Sequence, residues 1–297
     1  MAGRGCLRLT RKLFQRPDIW RSPVKALWRR LVWRARWRLC RAPWQLSYRG
    51  NIRIAVPRDG VGAQLFYQGF SEPDIEEFCL RFLNPGMVVF DVGAHVGKYT
   101  LLCARAVGPQ GHVHAFEPNP ALFHLLQLNI ARNGLSNSHA TRSAVSDEDG
   151  ASDFELCAES SISALVRKEN RGAPRAASKI VRLPTLRLDT FCAQSGLGPH
   201  LVKVDVEGAE LLVFQGSTHL LGLPAGRSPV WVFEHEPANY ARFGYAPARL
   251  FALLRLHSYR IWTFRHGRIT LLEETAHSGI PANLVAAKEG AWGASLP

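Results

Sequence analysis

Two short segments combine carboxylates with glycines at a spacing that suits the binding of a nucleoside. In residues 88–100, an apolar run reaches Asp91 and continues through Gly93 and Gly97, and in residues 116–118 a second apolar run ends at Glu117. Such acids at the ends of successive parallel strands would meet a ligand lying across the carboxyl edge of a sheet. An acid in front of the first glycine indicates a cationic ligand, and S-adenosylmethionine (SAM) is such a ligand.

The chemical groups of SAM match these residues one by one. We expect Asp91 to accept hydrogen bonds from the ligand ammonium, directly or through water, and Glu117 to accept both ribose hydroxyls. Gly93 and Gly97 would let the backbone approach the methionine portion. NAD is disfavoured, because its fingerprint requires a glycine where Asp91 stands and a carboxylate repels a pyrophosphate. Taken singly, each feature is more often structural: a glycine turn, or Asp91 as a helix cap.

A second group of acids follows the apolar run at residues 201–204. Asp205 and Glu207 precede Gly208 and a helical pattern, which predicts carboxylates at the same sheet edge. Methyl transfer to an alcohol needs an acceptor for the proton, and Asp205, Glu207 or a histidine would serve. Lys203 would balance the acids or steer the acceptor oxygen; alternatively, Lys203 and Asp205 form only a structural pair.

A third group, Glu234-His235-Glu236, ends a later apolar run. His235 is a candidate base or acceptor-binding group beside the site. Together with Asp205 and Glu207, this group would also supply oxygen ligands for Mg²⁺. No spacing typical of metal ligands stands out, so the sequence predicts no metal site.

Alternating strand and helix patterns must position these residues. Strands are predicted at 52–56, 87–91, 112–117, near 139–145, at 201–205 and at 229–234, with helices between them and a further helix at 247–257. Strands that alternate with helices predict a mostly parallel α/β sheet. An antiparallel hairpin near 259–272, with a strand near 283–287, suits the seven-stranded variant of such a sheet. Residues 151–183 look loop-rich, with a hairpin at 152–157 as an option.

The positive charge is confined to the N-terminus. Residues 1–50 hold 14 Lys and Arg and one acid, a balance of +13, and the whole chain carries +13, so the remainder is neutral. We therefore predict a basic, Trp- and Arg-rich amphipathic arm at residues 1–48 and a methyltransferase domain at 49–290. The six scattered cysteines indicate reduced thiols, and no apolar run is long enough to span a membrane, so we expect a cytoplasmic protein.

A helix should begin at Ser22-Pro23 and end by Pro43. On it, one arc is apolar and the opposite face is basic with Trp33 and Trp37 interleaved. The apolar arc comprises Val24, Leu27, Trp28, Leu31, Val32, Ala35 and Leu39. Such a helix suits an anionic membrane interface at the inner membrane face, whereas packing of the apolar arc on the domain is an equal alternative. RNA binding is less favoured, and a mitochondrial presequence would apply in a eukaryotic source.

The motifs at residues 89–97, 116–118, 144–147 and 201–210 resemble those of the FkbM family of SAM-dependent methyltransferases. The resemblance covers about residues 65–237. It implies the class I methyltransferase fold with SAM as cofactor and O-methylation of a sugar or a polyketide-type compound. By position, it places Asp91, Gly93, Ala94, Gly97, Glu117, Ala144 and Asp147 around SAM, and Asp205 and Glu207 at the acceptor.

The sequence thus predicts a SAM-dependent O-methyltransferase acting on a hydroxyl of a sugar, glycolipid or secondary metabolite. One alternative is an RNA or protein methyltransferase tethered by the arm, although the domain is neutral and shows no stripe of base-stacking aromatics. Another is a non-catalytic SAM-binding protein.

Overall fold

The computed structural model describes residues 22–69, 72–157, 163–166, 178–272 and 282–291. The chain divides into two compact units, Met1–Ser71 and Glu72–Pro297. The division at residue 48 that the sequence suggested stays a prediction.

The N-terminal unit joins the expected helix to a small hairpin. Helix α1 (Pro23–Leu39) starts with proline in its first turn, and the strands β1 (Trp44–Tyr48) and β2 (Ile52–Val56) pair antiparallel. Helix α2 (Gly60–Gln68) begins after Asp59, whose side chain accepts a hydrogen bond of 2.7 Å from the Gly62 amide. The sequence analysis had not identified β1 or α2.

Helix α1 buries the face that carries its tryptophans. Ala26, Trp33 and Trp37 are buried, and the Trp33 ring stacks on Trp44 and on Phe66 at centroid distances of 5.6 Å. The sequence analysis had placed both tryptophans on the basic face and had offered packing of the apolar arc as one of two equal alternatives. The tryptophans among the arginines form the packed face, because their large rings fill the space over the hairpin and α2.

The second unit is built on a sheet of eight strands. In spatial order these are β13 (Arg268–Leu271), β12 (Tyr259–Arg265), β14 (Ala282–Lys288), β11 (Val230–His235), β10 (Leu201–Val204), β3 (Val88–Val92), β4 (His112–Phe116) and β5 (Ser138–Thr141). The five strands from β11 to β5 are parallel, whereas β14, β12 and β13 pair antiparallel. The predicted mostly parallel α/β sheet is confirmed, with β13 as an eighth strand because the hairpin extends the edge.

The strand order reverses between β3 and β10. From β3 the chain proceeds outward through β4 to β5, and it then returns to β10 on the other side of β3. Ligands in open α/β sheets bind outside the carboxyl ends of the strands at such a switch point. The fold therefore directs attention to the residues that follow β3 and β10.

A second, four-stranded sheet occupies much of the segment expected to be loop-rich. Its strands are β6 (Ala144–Val145), β9 (Lys179–Leu186), β7 (Gly150–Leu156) and β8 (Ala164–Val166). Where residues 151–183 are described they are mostly strands, and β7 covers most of the segment 152–157 for which a hairpin was an option; residues 158–162 and 167–177 lie outside the described residues. The sheet buries Phe154, Leu165 and Leu183 against Ala209, and these scattered apolar residues give only a weak strand pattern.

Helices flank the strands of this unit. They are α3 (Pro73–Phe82), α4 (Lys98–Val107), α5 (Pro120–Arg132), α6 (Leu188–Ser195), α7 (Glu210–Gln215), α8 (Thr218–Gly222), α9 (Pro237–Tyr240), a 3₁₀ turn (Ala241–Phe243) and α10 (Pro247–Leu256). The core lies between sheet and helices around Phe90, Phe116, Phe214 and Trp231. Within the described residues, no helix is both long and apolar enough to cross a membrane.

Candidate active site

Asp91 lies at the end of the central strand β3 and offers one open oxygen. Its side chain is 1% exposed, and Oδ2 accepts a hydrogen bond of 2.6 Å from the Thr100 hydroxyl of α4. Oδ1 is buried and has no hydrogen-bond partner among the described residues. Burial raises the pKa of Asp91, against the lowering effect of Lys203. An orphaned buried acceptor at the carboxyl edge of the sheet fits a cationic ligand group.

The glycines of the turn are required by contacts inside the protein. Gly93 has a φ of +80°, and a Cβ there would lie 1.8 Å from the carbonyl oxygen of Asp205. A Cβ on Gly97, where φ is +89°, would lie 2.6 Å from Leu126 Cδ1. The amides of Gly93 and Ala94 both donate to the Phe116 carbonyl at 3.0 Å. Gly93 therefore allows the turn after β3 to contact the turn after β10. The approach of the backbone to a ligand, which the sequence also predicted for Gly93, stays a prediction.

Glu117 joins the glycine turn to the start of α5. Its side chain is 5% exposed, and its two oxygens accept hydrogen bonds of 2.8 Å from the amides of His95 and Asn119. Burial raises the pKa of Glu117. Each carboxylate oxygen can accept a further bond, so the side chain is fixed by the backbone and keeps capacity for a diol.

The two residues placed near the adenine by family resemblance follow β5. Ala144 is 4% exposed within the second sheet. Asp147 is half-buried, and its Oδ1 accepts a hydrogen bond of 3.0 Å from the Ser146 hydroxyl. Their contact with a cofactor stays a prediction.

The buried ammonium group of Lys203 interacts with the acids near both turns, Asp91 and Asp205. Lys203 is 5% exposed, and its Nζ donates to Asp205 Oδ2 at 2.8 Å and lies 4.6 Å from the centroid of the Tyr99 ring. Although burial alone would lower the pKa of Lys203, the carboxylates of Asp205, Asp91 and Glu72 raise it above its usual value. Lys203 therefore keeps its positive charge among these acids, and its role in binding or catalysis stays a prediction.

Glu72 extends this charge network from the residue that precedes α3. It accepts hydrogen bonds from Lys98 Nζ at 3.0 Å, from the Tyr99 hydroxyl at 3.1 Å and from Asn283 at 2.8 Å. Burial opposes ionisation, but Lys98 and Lys203 lower the pKa of Glu72 to about 2.

Three carboxylates converge beyond the ends of β10 and β11, and we call them the carboxylate cluster. Oxygen atoms of Asp205, Glu207 and Glu234 lie within 4.8 Å of one another. The register that pairs Val204 with Phe233 explains the approach, because Asp205 and Glu234 are the next residues along β10 and β11. The separation permits a divalent cation, but acidic groups of this exposure commonly converge without one.

Local contacts fix the geometry of the carboxylate cluster. Glu207 has a φ of +55°, and its Oε2 accepts a hydrogen bond of 3.0 Å from the side-chain amide of Asn239. Burial raises the pKa of Glu234 to about 9, and the charges of Asp205 and Glu207 add to this effect. Within the cluster, Glu234 therefore holds a proton more tightly than an ordinary carboxyl does.

His235 lies in an aromatic environment. It is 1% exposed, its Nδ1 is 3.1 Å from the Tyr240 hydroxyl, and its ring packs at 5.2 Å from that of Phe251. Successive strand residues face opposite sides of the sheet, so it is Glu234 that joins the carboxylate cluster. These surroundings favour a structural role, and catalysis by His235 stays a prediction.

Sequence reasoning did not identify Glu72, Tyr99, Thr100 or Asn239 as parts of the site. Thr100 carried one available signal, since a hydroxyl directly before the apolar run Leu101-Leu102-Cys103 of α4 needs a buried partner. Glu72 and Asn239 gave none, because they reach the site only through the packing of distant elements.

Comparisons with known proteins agree with this geometry. The Methyltransferase FkbM domain model matches residues 91–261. The 31-O-demethyl-FK506 methyltransferase FkbM of Streptomyces tacrolimicus is 33% identical over 45% of this chain and 60% of its own. The hexuronic acid methyltransferase AglP of Haloferax volcanii is 30% identical over 50% of this chain and 58% of its own. The chain thus spans less than two thirds of the length of either relative.

A solved structure of a methyltransferase FkbM from Methylobacillus flagellatus covers 77% of this chain and 55% of its own, at 14% identity and a TM-score of 0.44. The family model itself takes in both turns, the carboxylate cluster and the strands from β4 to β11, which is more than half of the chain. This protein belongs to the FkbM methyltransferase family.

Proposed function

We propose that this protein is a SAM-dependent O-methyltransferase whose acceptor is a hydroxyl of a sugar, glycolipid or secondary metabolite. The observation that carries the proposal is the contact between two turns, one that follows Asp91 and one that bears Asp205 and Glu207 of the carboxylate cluster. Gly93 brings them together, so that a cofactor side and an acceptor side share one sheet edge.

The residues of the glycine turn fit SAM. Asp91 Oδ1 is a buried acceptor that has no hydrogen-bond partner in the described part of the chain, which suits an ammonium group. Glu117 is held by two backbone amides with lone pairs left for a ribose. When bound, SAM supplies a methyl group on a sulfonium. Asp91, Gly93, Ala94, Gly97 and Glu117 would hold it, with Ala144 and Asp147 towards the adenine.

The carboxylate cluster would bind the acceptor and take its proton. Lys203 donates a hydrogen bond to one oxygen of Asp205, and Asn239 donates one to an oxygen of Glu207, so both carboxylates are held in fixed positions towards a hydroxyl. A positioned base of this kind contributes typically 10²–10⁴-fold to a proton transfer.

The names of the relatives support an oxygen acceptor. One acts on a 31-O-demethyl substrate and the other on a hexuronic acid. The carboxylate cluster suits acceptors with several hydroxyls, since carboxylate oxygens accept hydrogen bonds from hydroxyl groups.

The cysteines support a reducing compartment, and we propose the cytoplasm. Cys40, Cys79, Cys103, Cys157 and Cys192 are all free in the part of the chain that the structure describes.

A transfer assay with methyl-labelled SAM tests the acceptor class. Hexuronides, glycolipids and hydroxylated macrolides would be offered beside RNA and protein. We expect label in a hydroxylated small molecule or glycan, as a methyl ether that survives mild base. Release of the label by base would indicate a carboxyl ester, and label in RNA or protein alone would contradict the proposal. Cofactor binding without transfer to any acceptor would favour a non-catalytic protein.

A further inference from the structure

Helix α1 has two apolar faces on opposite sides. Ala26, Trp33 and Trp37 recur at helical spacing and are buried. Val24, Leu27, Trp28 and Leu31 recur at i, i+3, i+4 and i+7 on the other side. These four residues and Leu39, which we call the open face, are 80%, 62%, 65%, 51% and 87% exposed.

The open face exposes more large apolar side chains than the rest of the described molecule. Of its eight exposed large hydrophobic residues, five lie on this one helix. Scattered single apolar residues are normal on a surface, but a continuous apolar strip on one helix marks an interaction site.

The charge of α1 specifies the kind of partner. The helix contains Lys25, Arg29, Arg30, Arg34, Arg36 and Arg38, and no acidic residue. At 100° per residue, Lys25 and Arg36 border the open face on one side and Arg34 borders it on the other. Arg38 falls between Leu27 and Leu31, near the Arg34 side of the open face. A strip of leucine and tryptophan between two rows of cations matches a lipid surface, with acyl chains below and anionic headgroups at the sides.

The buried tryptophans argue against RNA as the partner. Base stacking needs open ring faces, but Trp33 and Trp37 are 7% and 5% exposed and pack against aromatic neighbours within the N-terminal unit. Aliphatic side chains dominate the open face, and they suit hydrocarbon better than bases.

We propose that the open face of α1 is a membrane-docking surface that inserts shallowly into an anionic bilayer. Leu27, Trp28 and Leu31 enter the acyl boundary, and the flanking lysine and arginines bind lipid phosphates. This proposal is independent of the methyltransferase function.

Vesicle flotation of the full chain tests the proposal. The probes are phosphatidylcholine vesicles with and without phosphatidylglycerol. We expect binding only to the anionic vesicles, weakened by salt. The variant Leu27→Ser/Leu31→Ser should reduce the partition coefficient on the order of 100-fold, equivalent to about 3 kcal/mol, since two leucine side chains no longer enter the acyl boundary. Arg34→Gln/Arg38→Gln should reduce it on the order of tenfold or more.

The control is Leu256→Ser, because Leu256 is 78% exposed on α10, outside the N-terminal unit. This variant should bind anionic vesicles like the wild type. Equal binding by Leu27→Ser/Leu31→Ser would overturn the proposal, as would equal binding of the wild type to uncharged vesicles. The proposal would also be overturned if the wild type bound no vesicles and formed either a complex with RNA or a dimer that Leu27→Ser/Leu31→Ser abolishes. Either result would assign the open face to another partner.

Discussion

Asp91 and Lys203 occupy paired positions on the adjacent parallel strands β3 and β10. The buried ammonium of Lys203 therefore lies between the acid of the glycine turn and Asp205, to which it donates at 2.8 Å. One cation thereby serves both sides of the proposed active site, and the acids can be packed closely without leaving their charges unbalanced.

Replacement of Lys203 should be strongly destabilising. Lys203→Met removes the cation from a buried group of carboxylates, and breaking such a pair typically costs about 3–5 kcal/mol. Urea unfolding measures the change in the free energy of unfolding. The exposed Lys179 provides the control, and Lys179→Met should change it by less than about 0.5 kcal/mol. Similar values for the two variants would show that Lys203 does not carry the charge balance.

Gly93 should be irreplaceable for a steric reason that another glycine of the chain does not share. Gly93 and Gly134 have φ values of +80° and +63°, but a Cβ on Gly93 would meet the Asp205 carbonyl, whereas one on Gly134 would meet nothing within 4 Å. Gly134→Ala should cost only about 1–2 kcal/mol, the penalty of the left-handed backbone. Gly93→Ala should cost clearly more and also weaken SAM binding. Thermal unfolding compares them, and equal losses would contradict the turn contact.

The sequence predicted most of the fold because buried parallel strands read as short apolar runs between helical patterns. The runs ending near Asp91, Glu117 and Asp205 match β3, β4 and β10 closely. The second sheet escaped prediction, since polar residues alternate with few apolar ones between residues 150 and 186. These strands are stabilised by the pairing of β7 with β9, which are far apart in the sequence. A pattern within a short segment does not reveal such a pairing.

The site was predictable where one strand end carries its own motif, and less so where distant elements meet. Asp205 and Glu207 stood out beside Gly208, but the choice between Glu234 and His235 depended on which face of β11 each occupies. Which face of α1 is buried was likewise not predictable from the local sequence pattern. A helical wheel groups residues correctly, but tertiary packing selected the two tryptophans in place of the leucines.

The stability of the protein should depend on pH through Glu210. Its carboxyl is 1% exposed, with Oε1 facing the amides of Val206 and Gly208, and burial raises its pKa to about 8 from an ordinary 4.5. The folded state thus favours the protonated form. This contribution is complete below the ordinary pKa and is lost as the pH rises through about 8.

Glu210→Gln keeps an acceptor for the two amides but cannot ionise. Its melting temperature relative to the wild type should therefore increase between about pH 5 and about pH 9. Differential scanning calorimetry at both pH values gives the comparison. A difference that is constant with pH would show that Glu210 does not titrate as its burial requires.

Variants of the carboxylate cluster should separate cofactor binding from transfer. Asp205→Asn and Glu207→Gln keep the size of each side chain but remove the base. Each should bind SAM like the wild type while the transfer rate falls by about 10²-fold or more. Calorimetry and the labelled-SAM assay supply the two readouts. Full transfer in both variants would exclude these residues as the base.

Calorimetric titration with SAM and S-adenosylhomocysteine, on the wild type and on Asp91→Asn, tests the central claim most directly. Asparagine can still accept a hydrogen bond from the Thr100 hydroxyl. At the position of Oδ1, which has no hydrogen-bond partner among the described residues, it places an NH₂ donor or an uncharged oxygen in place of a carboxylate oxygen. The account predicts micromolar binding of both ligands by the wild type and a loss on the order of tenfold or more in the variant. Folded wild-type protein that binds neither ligand, or equal affinity in Asp91→Asn, would contradict it.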